Sequence, residues 1–359
     1  MVRSLFVIGL LAAVSPAVAG VVAEIDADGL PVGVAPGRLL VSGWFNGSSV
    51  LYSINPDGSV SGTTVSNHGG AATVLAMSDN GRYIVGFDDV TGHGLVWSSD
   101  DLTAPTAIGY NNNPLGVNDA GVAVGDWGAS AAIRWTAATG VEHLASPSGY
   151  VGHGAIGVSA DGSVIVGASS PESASGNWQP AVWDEAGWQL LPGADPRIRG
   201  FAAAVSSNGR VIGGLLGNLA AVWLDRELVR LKDAEGENFR GMVLGVTDNG
   251  YAIGTTDLYY THEPAQDDSR GFIWHPSFES VMWFDDWAAA QGLSLPGPIK
   301  GVRDVMFDGT ELHFALEGSV YYAQVSVAPA AVPEPSSLVL CGLLGGVGLV
   351  RVWHRRWRT

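Results

Sequence analysis

The sequence predicts an all-β chain folded as a β-propeller, and three observations predict it. A glycine-centred turn recurs: Gly81, Gly121, Gly162, Gly209, Gly250 and Gly309 are separated by 40, 41, 47, 41 and 59 residues. Each period carries about four short runs rich in Val, Ile and Trp, bounded by Gly, Asn, Asp or Pro. One run in most periods closes on tryptophan: Trp97, Trp135, Trp183, Trp223 and Trp274. Four short strands repeated at such a period favour radial blades. Helical solenoids of similar period are excluded, because each turn glycine costs a helix interior about 1 kcal/mol.

The chain opens on a secretory pattern. Arg3 supplies a positive start, Leu5 to Val14 an apolar segment, and Ala17-Val18-Ala19 a small-residue cleavage site. Residues 1–19 therefore read as a signal peptide cut by signal peptidase. Residues 20–328 hold the repeats. The full copies are Ala76 to Gly86, Gly116 to Gly125, Gly157 to Gly167, Ala204 to Gly213 and Gly245 to Gly254, with a weaker one at Val305 to Phe314 and Tyr321 in the tryptophan place. Their Asn/Asp-Gly pairs provide the positive φ that tight turns need.

The ends set the number of blades. Leu30 to Gly43 resembles Asn113 to Gly125, so a full blade opens at Arg38 to Val41, with Leu51 to Ile54 as its tryptophan-type strand. Glu311 to Val327 leaves room for only two strands, and Val21 to Ile25 with Pro31 to Val34 are expected to supply the other two. The expectation is seven four-stranded blades, rather than six, with N- and C-terminal strands closing the last. Closure removes the edges that invite aggregation.

Residues 329–359 form a linker and a tail. Pro333-Glu334-Pro335 is followed by an apolar run, expected as a hydrophobic helix, and by Arg351, Arg355, Arg356 and Arg358. An apolar segment ending in arginines is a membrane-retention pattern, with the positive end on the cytoplasmic side. Cys341, the only cysteine, lies in this tail, so the body has no internal disulfide. Without Arg3 and the tail arginines, Lys plus Arg falls from 18 to 13; without Glu334, Asp plus Glu falls from 35 to 34, leaving a formal charge of about −21. Such a body disfavours nucleic acid, whose binding depends on neutralising phosphates.

The order of Pro-Glu-Pro, apolar run and arginine cluster resembles the PEP-CTERM sorting tail of bacterial proteins. The resemblance implies an exosortase as partner, export, and at least transient anchoring in the inner membrane on the way to the cell surface or matrix. The repeats resemble the HAF repeat family of extracellular proteins. Its signature is degraded here to Gly92-His93-Gly94-Leu95-Val96-Trp97 and Gly271-Phe272-Ile273-Trp274. Asp285 to Leu293 resembles the short helix found before the last repeat in such proteins, with Asp285 expected as its cap.

Catalytic signals are absent from the sequence. It holds no His-Glu-x-x-His, no phosphate-binding Gly-rich lysine loop and no Gly-x-Ser-x-Gly turn. The repeated tryptophans read as packing between blades. Asp57-Gly58, Asp79-Asn80-Gly81, Asp161-Gly162, Asp248-Asn249-Gly250 and Asp308-Gly309 carry oxygens that suit calcium, yet turn chemistry accounts for them. The insert Asp257 to Asp268, with Glu263 and Asp267, breaks the repeat and is either a solvated loop or a calcium or ligand loop. No other cofactor is expected. The reading is a non-enzymatic surface or matrix protein that binds polysaccharide or protein, with exopolysaccharide the expected associate. The alternative is a secreted polysaccharide-degrading enzyme with convergent acids, histidines or tyrosines at the propeller axis. A third reading is a structural passenger without a ligand.

Overall fold

The computed structural model describes residues 20–25, 27, 29–43, 48–128, 131–145, 148–174, 176–258 and 268–327. After β1 (Val21–Ile25), the chain runs through consecutive four-stranded antiparallel sheets. Blade 1 is β2 (Leu30–Ala35), β3 (Arg38–Ser42), β4 (Val50–Ile54) and β5 (Val60–Thr64). Blade 2 is β6 (Ala72–Met77), β7 (Tyr83–Asp88), β8 (His93–Ser98) and β9 (Asp101–Tyr110). Blade 3 is β10 (Asn112–Val117), β11 (Ala123–Trp127), β12 (Ala132–Thr136) and β13 (Gly140–His143). Blade 4 is β14 (Tyr150–Val158), β15 (Ile165–Pro171), β16 (Gln179–Asp184) and β17 (Gly187–Leu190). Blade 5 is β18 (Gly200–Val205), β19 (Val211–Leu216), β20 (Leu219–Leu224) and β21 (Glu227–Arg230). Blade 6 is β22 (Met242–Val246), β23 (Ala252–Thr255), β24 (Gly271–Trp274) and β25 (Met282–Trp283). Blade 7 joins β26 (Gly301–Phe307), β27 (Glu311–Glu317) and β28 (Val320–Ser326) to β1.

Seven blades and closure by the N-terminal strand agree with the expectation, but the division of the last blade differs. Three C-terminal strands and one N-terminal strand build it, with Val21 opposite Gln324 and Ile25 opposite Val320. Pro31 to Val34 belongs to blade 1, where β2 pairs with β3. Two features hid this division. β26 carries Arg303 and Asp304 in its middle, so it does not read as an inner strand, whereas the apolar β2 is free to be assigned anywhere. The expected C-terminal hydrophobic helix lies outside the described residues, as do residues 1–19. Among the described residues, no helix is long and apolar enough to cross a membrane.

The tryptophans pack where blades meet. Trp97 is fully buried in a core that includes Leu40 and Leu51 of blade 1, and Nε1 donates to the Ser66 carbonyl at 2.8 Å. Trp223 repeats this arrangement, packing with Val166 and Val182 of blade 4 and donating to the Pro192 carbonyl at 2.9 Å. Trp135, Trp183 and Trp274 occupy the equivalent seams, the first two half-buried. Tyr321 holds the place in blade 7, against Ile253 and Ile273 of blade 6. Each ring covers apolar surface while its N–H, where fully buried, finds a carbonyl on the loop of the preceding blade.

The short helix α1 (Phe284–Ala290) wedges Phe284 and Trp287 between blades 6 and 7, against Tyr251 and Phe314. Asp285 does not cap it. The N-cap is Trp283, with no side-chain cap; Asp285 sits inside the first turn, where Oδ1 accepts the Ile299 N–H at 3.3 Å and Arg270 lies 3.8 Å away. An aspartate two residues past the N-cap serves the loop that packs on the helix rather than the helix end.

Trp223→Ala should remove the seam filler between blades 4 and 5 and lower stability by about 3–5 kcal/mol. Urea unfolding would show it as a lower midpoint. An unchanged midpoint would mean that the seams do not depend on these rings.

Candidate functional site

Every inner strand carries the same irregularity. In β2, β6, β10, β14, β18, β22 and β26, two residues face one on the neighbouring strand just before the turn. Such bulges bend a strand and re-aim one side chain. The re-aimed residues are Val32, Leu75, Leu115, Ile156, Ala203, Leu244 and Arg303, and all line the axial channel, a cavity of about 260 Å³. Six are aliphatic. The seventh, Arg303, is held by Glu317 at 2.5 Å, with both side chains largely buried.

The next residue in each strand is Gly33, Ala76, Gly116, Gly157, Ala204 or Gly245, and in blade 7 it is Asp304. Small residues are needed because the adjacent inner strand passes close by. A Cβ on Gly116 would lie 2.3 Å from the Ile156 carbonyl, and one on Gly33 would lie 2.8 Å from the Met77 Cβ. Asp304 instead reaches across the closing seam, where Oδ2 accepts the Val34 N–H at 2.9 Å. Burial pushes its carboxyl up to about 7; the Val34 N–H opposes this, and the negative Asp79 adds to it.

The turns that follow line one end of the channel, and side chains bond several of them to one another. Gly81, Gly121, Gly162, Gly209 and Gly250 have φ between 69° and 95°, as the Asn/Asp-Gly reading requires. The first turn residue braces its own turn: Ser78, Ser159, Ser206 and Thr247 each accept a backbone N–H from the strand beyond. The second residue reaches a neighbour. Asp119 accepts the Asn80 N–H and Asp248 the Asn208 N–H, both at 2.8 Å. Asp79 crosses the axis from blade 2 to accept the Ser207 hydroxyl of blade 5 at 2.6 Å. Asp79 is exposed at the turn end, yet the protein packed around its carboxyl disfavours the charged form and raises its pKa; the Ser207 bond opposes the shift, and the Asp119 and Asp248 charges reinforce it.

The axis thus brings acids together, but each accepts a hydrogen bond from the frame. The described histidines do not join them. His275 is buried, bonded to the Asn249 carbonyl at 3.0 Å and to the Ser277 hydroxyl at 2.7 Å. His313 forms a brace at the edge of blade 7. Its Nδ1 meets the Tyr322 hydroxyl at 2.7 Å and its Nε2 meets Asp308 at 3.1 Å, while the Gly37 N–H of blade 1 donates to the same hydroxyl. Burial pushes the Asp308 carboxyl up, but the Thr310 and Glu311 N–H groups, with His313, hold it down at about 2. Burial lifts the Tyr322 phenol to about 12. Asp308, Glu311 and His313 place ligand-type atoms within 4.8 Å of one another, but both His313 nitrogens are engaged. This is a seam brace, consistent with the turn reading of Asp308-Gly309.

The opposite ends of the blades carry loops of unequal length. The insert of residues 257–268 is one of them, joining β23 to β24. Asp257 is buried at its base and Asp268 is exposed. Glu263 and Asp267 lie outside the described residues, as do Pro333, Glu334, Pro335, Arg351, Arg355, Arg356 and Arg358. Sequence reasoning missed the bulge ring and Asp304. The signal was present: five residues before Gly309, Asp304 stands where the other copies have Gly or Ala.

Asp304 makes a pH-dependent prediction. Its pKa in the folded chain lies above the ordinary carboxylate value, so the native state prefers the protonated acid. Its stabilising contribution is complete below about pH 4 and declines as pH rises toward 7. Asp304→Asn should therefore gain thermal stability relative to the natural chain between pH 4 and 7, with no further gain above it. A difference in Tm that is constant across that range would contradict the buried-acid account.

No family model and no curated sequence matches this chain. Solved structures share the fold. The β-propeller domain of Cps50 (Swd1) from Myceliophteria thermophila has 10% identity and a TM-score of 0.55, covering 86% of this chain and 100% of that one. The WD40 β-propeller domain of Doa1 has 13% identity and a TM-score of 0.53, covering 88% and 97%. A catalytically inactive virginiamycin B lyase from Staphylococcus aureus, solved with quinupristin, has 13% identity and a TM-score of 0.51, covering 86% and 100%. At these identities the likeness is one of fold.

Proposed function

We propose that this chain is an exported β-propeller that acts as a binding or structural protein at the cell surface or in the matrix. It is sorted by an exosortase through Pro333-Glu334-Pro335 and the arginines at 351, 355, 356 and 358, and it associates with exopolysaccharide. The observation that carries the binding role is the asymmetry of the two faces. One face carries turns of one recurring type, with those of blades 2, 3, 5 and 6 bonded to one another; the other presents loops of unequal length, including residues 256–270. A rigid scaffold with variable loops on one side is how many folds present a binding surface. The enzymatic alternative, a polysaccharide-degrading site at the axis, has less support. The ring of six aliphatic residues and a paired arginine offers no acid–base couple, and the nearby acids are tied to the frame.

Fractionating the producing cell with and without its exosortase, and reading both termini by mass spectrometry, tests the sorting. Residues 1–19 should be absent from the exported form. The tail should be lost near Pro333, and the body should leave the inner membrane only when the exosortase is present. An intact tail on a membrane-bound body in both cells would make the C-terminus a plain anchor and overturn the sorting reading.

A further inference from the structure

Among the described residues, Trp127 is the one tryptophan that stands exposed, at 48% of its surface, and it lies outside the repeated tryptophan place. Tyr110 is exposed at 65%. Both sit on the loop face, where β9 passes into β10 and β11 leaves blade 3. Asn111 links them. It is a non-glycine residue with φ of 58°; its N–H donates to the Gly92 carbonyl at 3.1 Å, and its carbonyl accepts the Gly128 N–H at 3.0 Å. Asparagine tolerates this left-handed geometry better than most residues. The single connecting residue thereby pins a loop of blade 2 to a loop of blade 3.

Histidines fix both rings from the side. His143 meets Trp127 edge-on at 5.5 Å and 80°, and His93 meets Tyr110 at 6.0 Å and 66°. The Trp127 backbone N–H donates to the Ala131 carbonyl at 2.8 Å. Beside Trp127, Asp126 accepts from the Asn113 amide at 3.0 Å. The backbone under both rings is thus fixed and a histidine packs beside each, which limits what binding must still order.

We propose that Trp127 and Tyr110 form a glycan-binding platform for a neutral polysaccharide. The proposal rests on the binding role given above and names the ligand class. An aromatic face stacks on the C–H face of a sugar ring, and the imidazoles beside the rings, with the amides of Asn111 and Asn113 close to Trp127, suit its hydroxyls. Polar groups interrupt the aromatic surface, which distinguishes it from the continuous apolar centre of a protein interface. Charge selects within the glycans. Residues 89–93, 108–113, 126–128 and 141–144 contain Asp89, Asp126 and Glu142 but no lysine or arginine. Like charges at a contact suppress the wrong partner, so uronate-rich chains are excluded.

Native gel electrophoresis of the full chain in laminarin, hydroxyethylcellulose or alginate tests this. Retardation is expected in a neutral gel and not in alginate. Trp127→Ala and Tyr110→Ala should each weaken retention about tenfold, as truncation of an aromatic anchor does, while Trp127→Phe keeps more of it. A thermal melt of each variant checks its fold; if Trp127→Ala unfolds, Tyr110→Ala and His143→Ala decide. Retention in a neutral gel that neither alanine variant weakens would overturn the platform and leave the binding role standing. Retardation in alginate alone would overturn the neutral class. No retardation in any gel would overturn the platform and count against the polysaccharide association itself.

Discussion

Each blade of this propeller is apolar on both faces, and only a closed ring buries both. The pairing of β1 with β28 is therefore the contact on which the other seams depend. Without it, Tyr322 and Ala315 of blade 7 would lose the partners that they share with Val34 and Leu39 of blade 1. The seam has its own supports. Asp304 accepts a backbone N–H of β2, and the Tyr322 hydroxyl, fixed by His313, accepts another from Gly37. These buried polar groups find partners across the junction as well as within blade 7, so the ring is specified as well as packed.

The same geometry divides the molecule by task. A bulge repeated in every inner strand turns one side chain to the axis and leaves room beside it for the next blade. Beyond the bulges, the turns bond to their neighbours and across the channel. That end has little freedom to vary, since a change in Asp119 or Asp248 strips a backbone N–H of its partner. Among the described residues, the other end carries no such set of bonded turns. Loop length can change there without disturbing the frame, and the exposed Trp127 and Tyr110 lie at that end.

Much of the fold was legible because its signals are local. Asn/Asp-Gly pairs require particular backbone angles, and the tryptophans recur at one place in each copy, so turns, seams and blade number could be read. The partition of blade 7 could not, because β26 carries Arg303 and Asp304, polar residues that an inner strand tolerates only where a channel and a seam accept them. Asp285 was misplaced as a cap because composition does not say which of Trp283, Phe284 and Asp285 begins the helix. The Asp308–His313–Tyr322 brace joins residues from two strands and a turn, and no spacing rule anticipates it. Trp127, a tryptophan out of phase with the repeat, was not singled out in the sequence, because its exposure follows from its place beside a one-residue connection at Asn111.

Hydrogen exchange across β1 tests the closed ring most directly. If the N-terminal strand is an integral part of blade 7, the amides of residues 21–25 that pair with β28 should exchange as slowly as those of β27 and β28, through opening of the whole ring. If they exchange within seconds while β27 and β28 stay protected, the strand is a loosely attached arm, and closure is not what holds the propeller together.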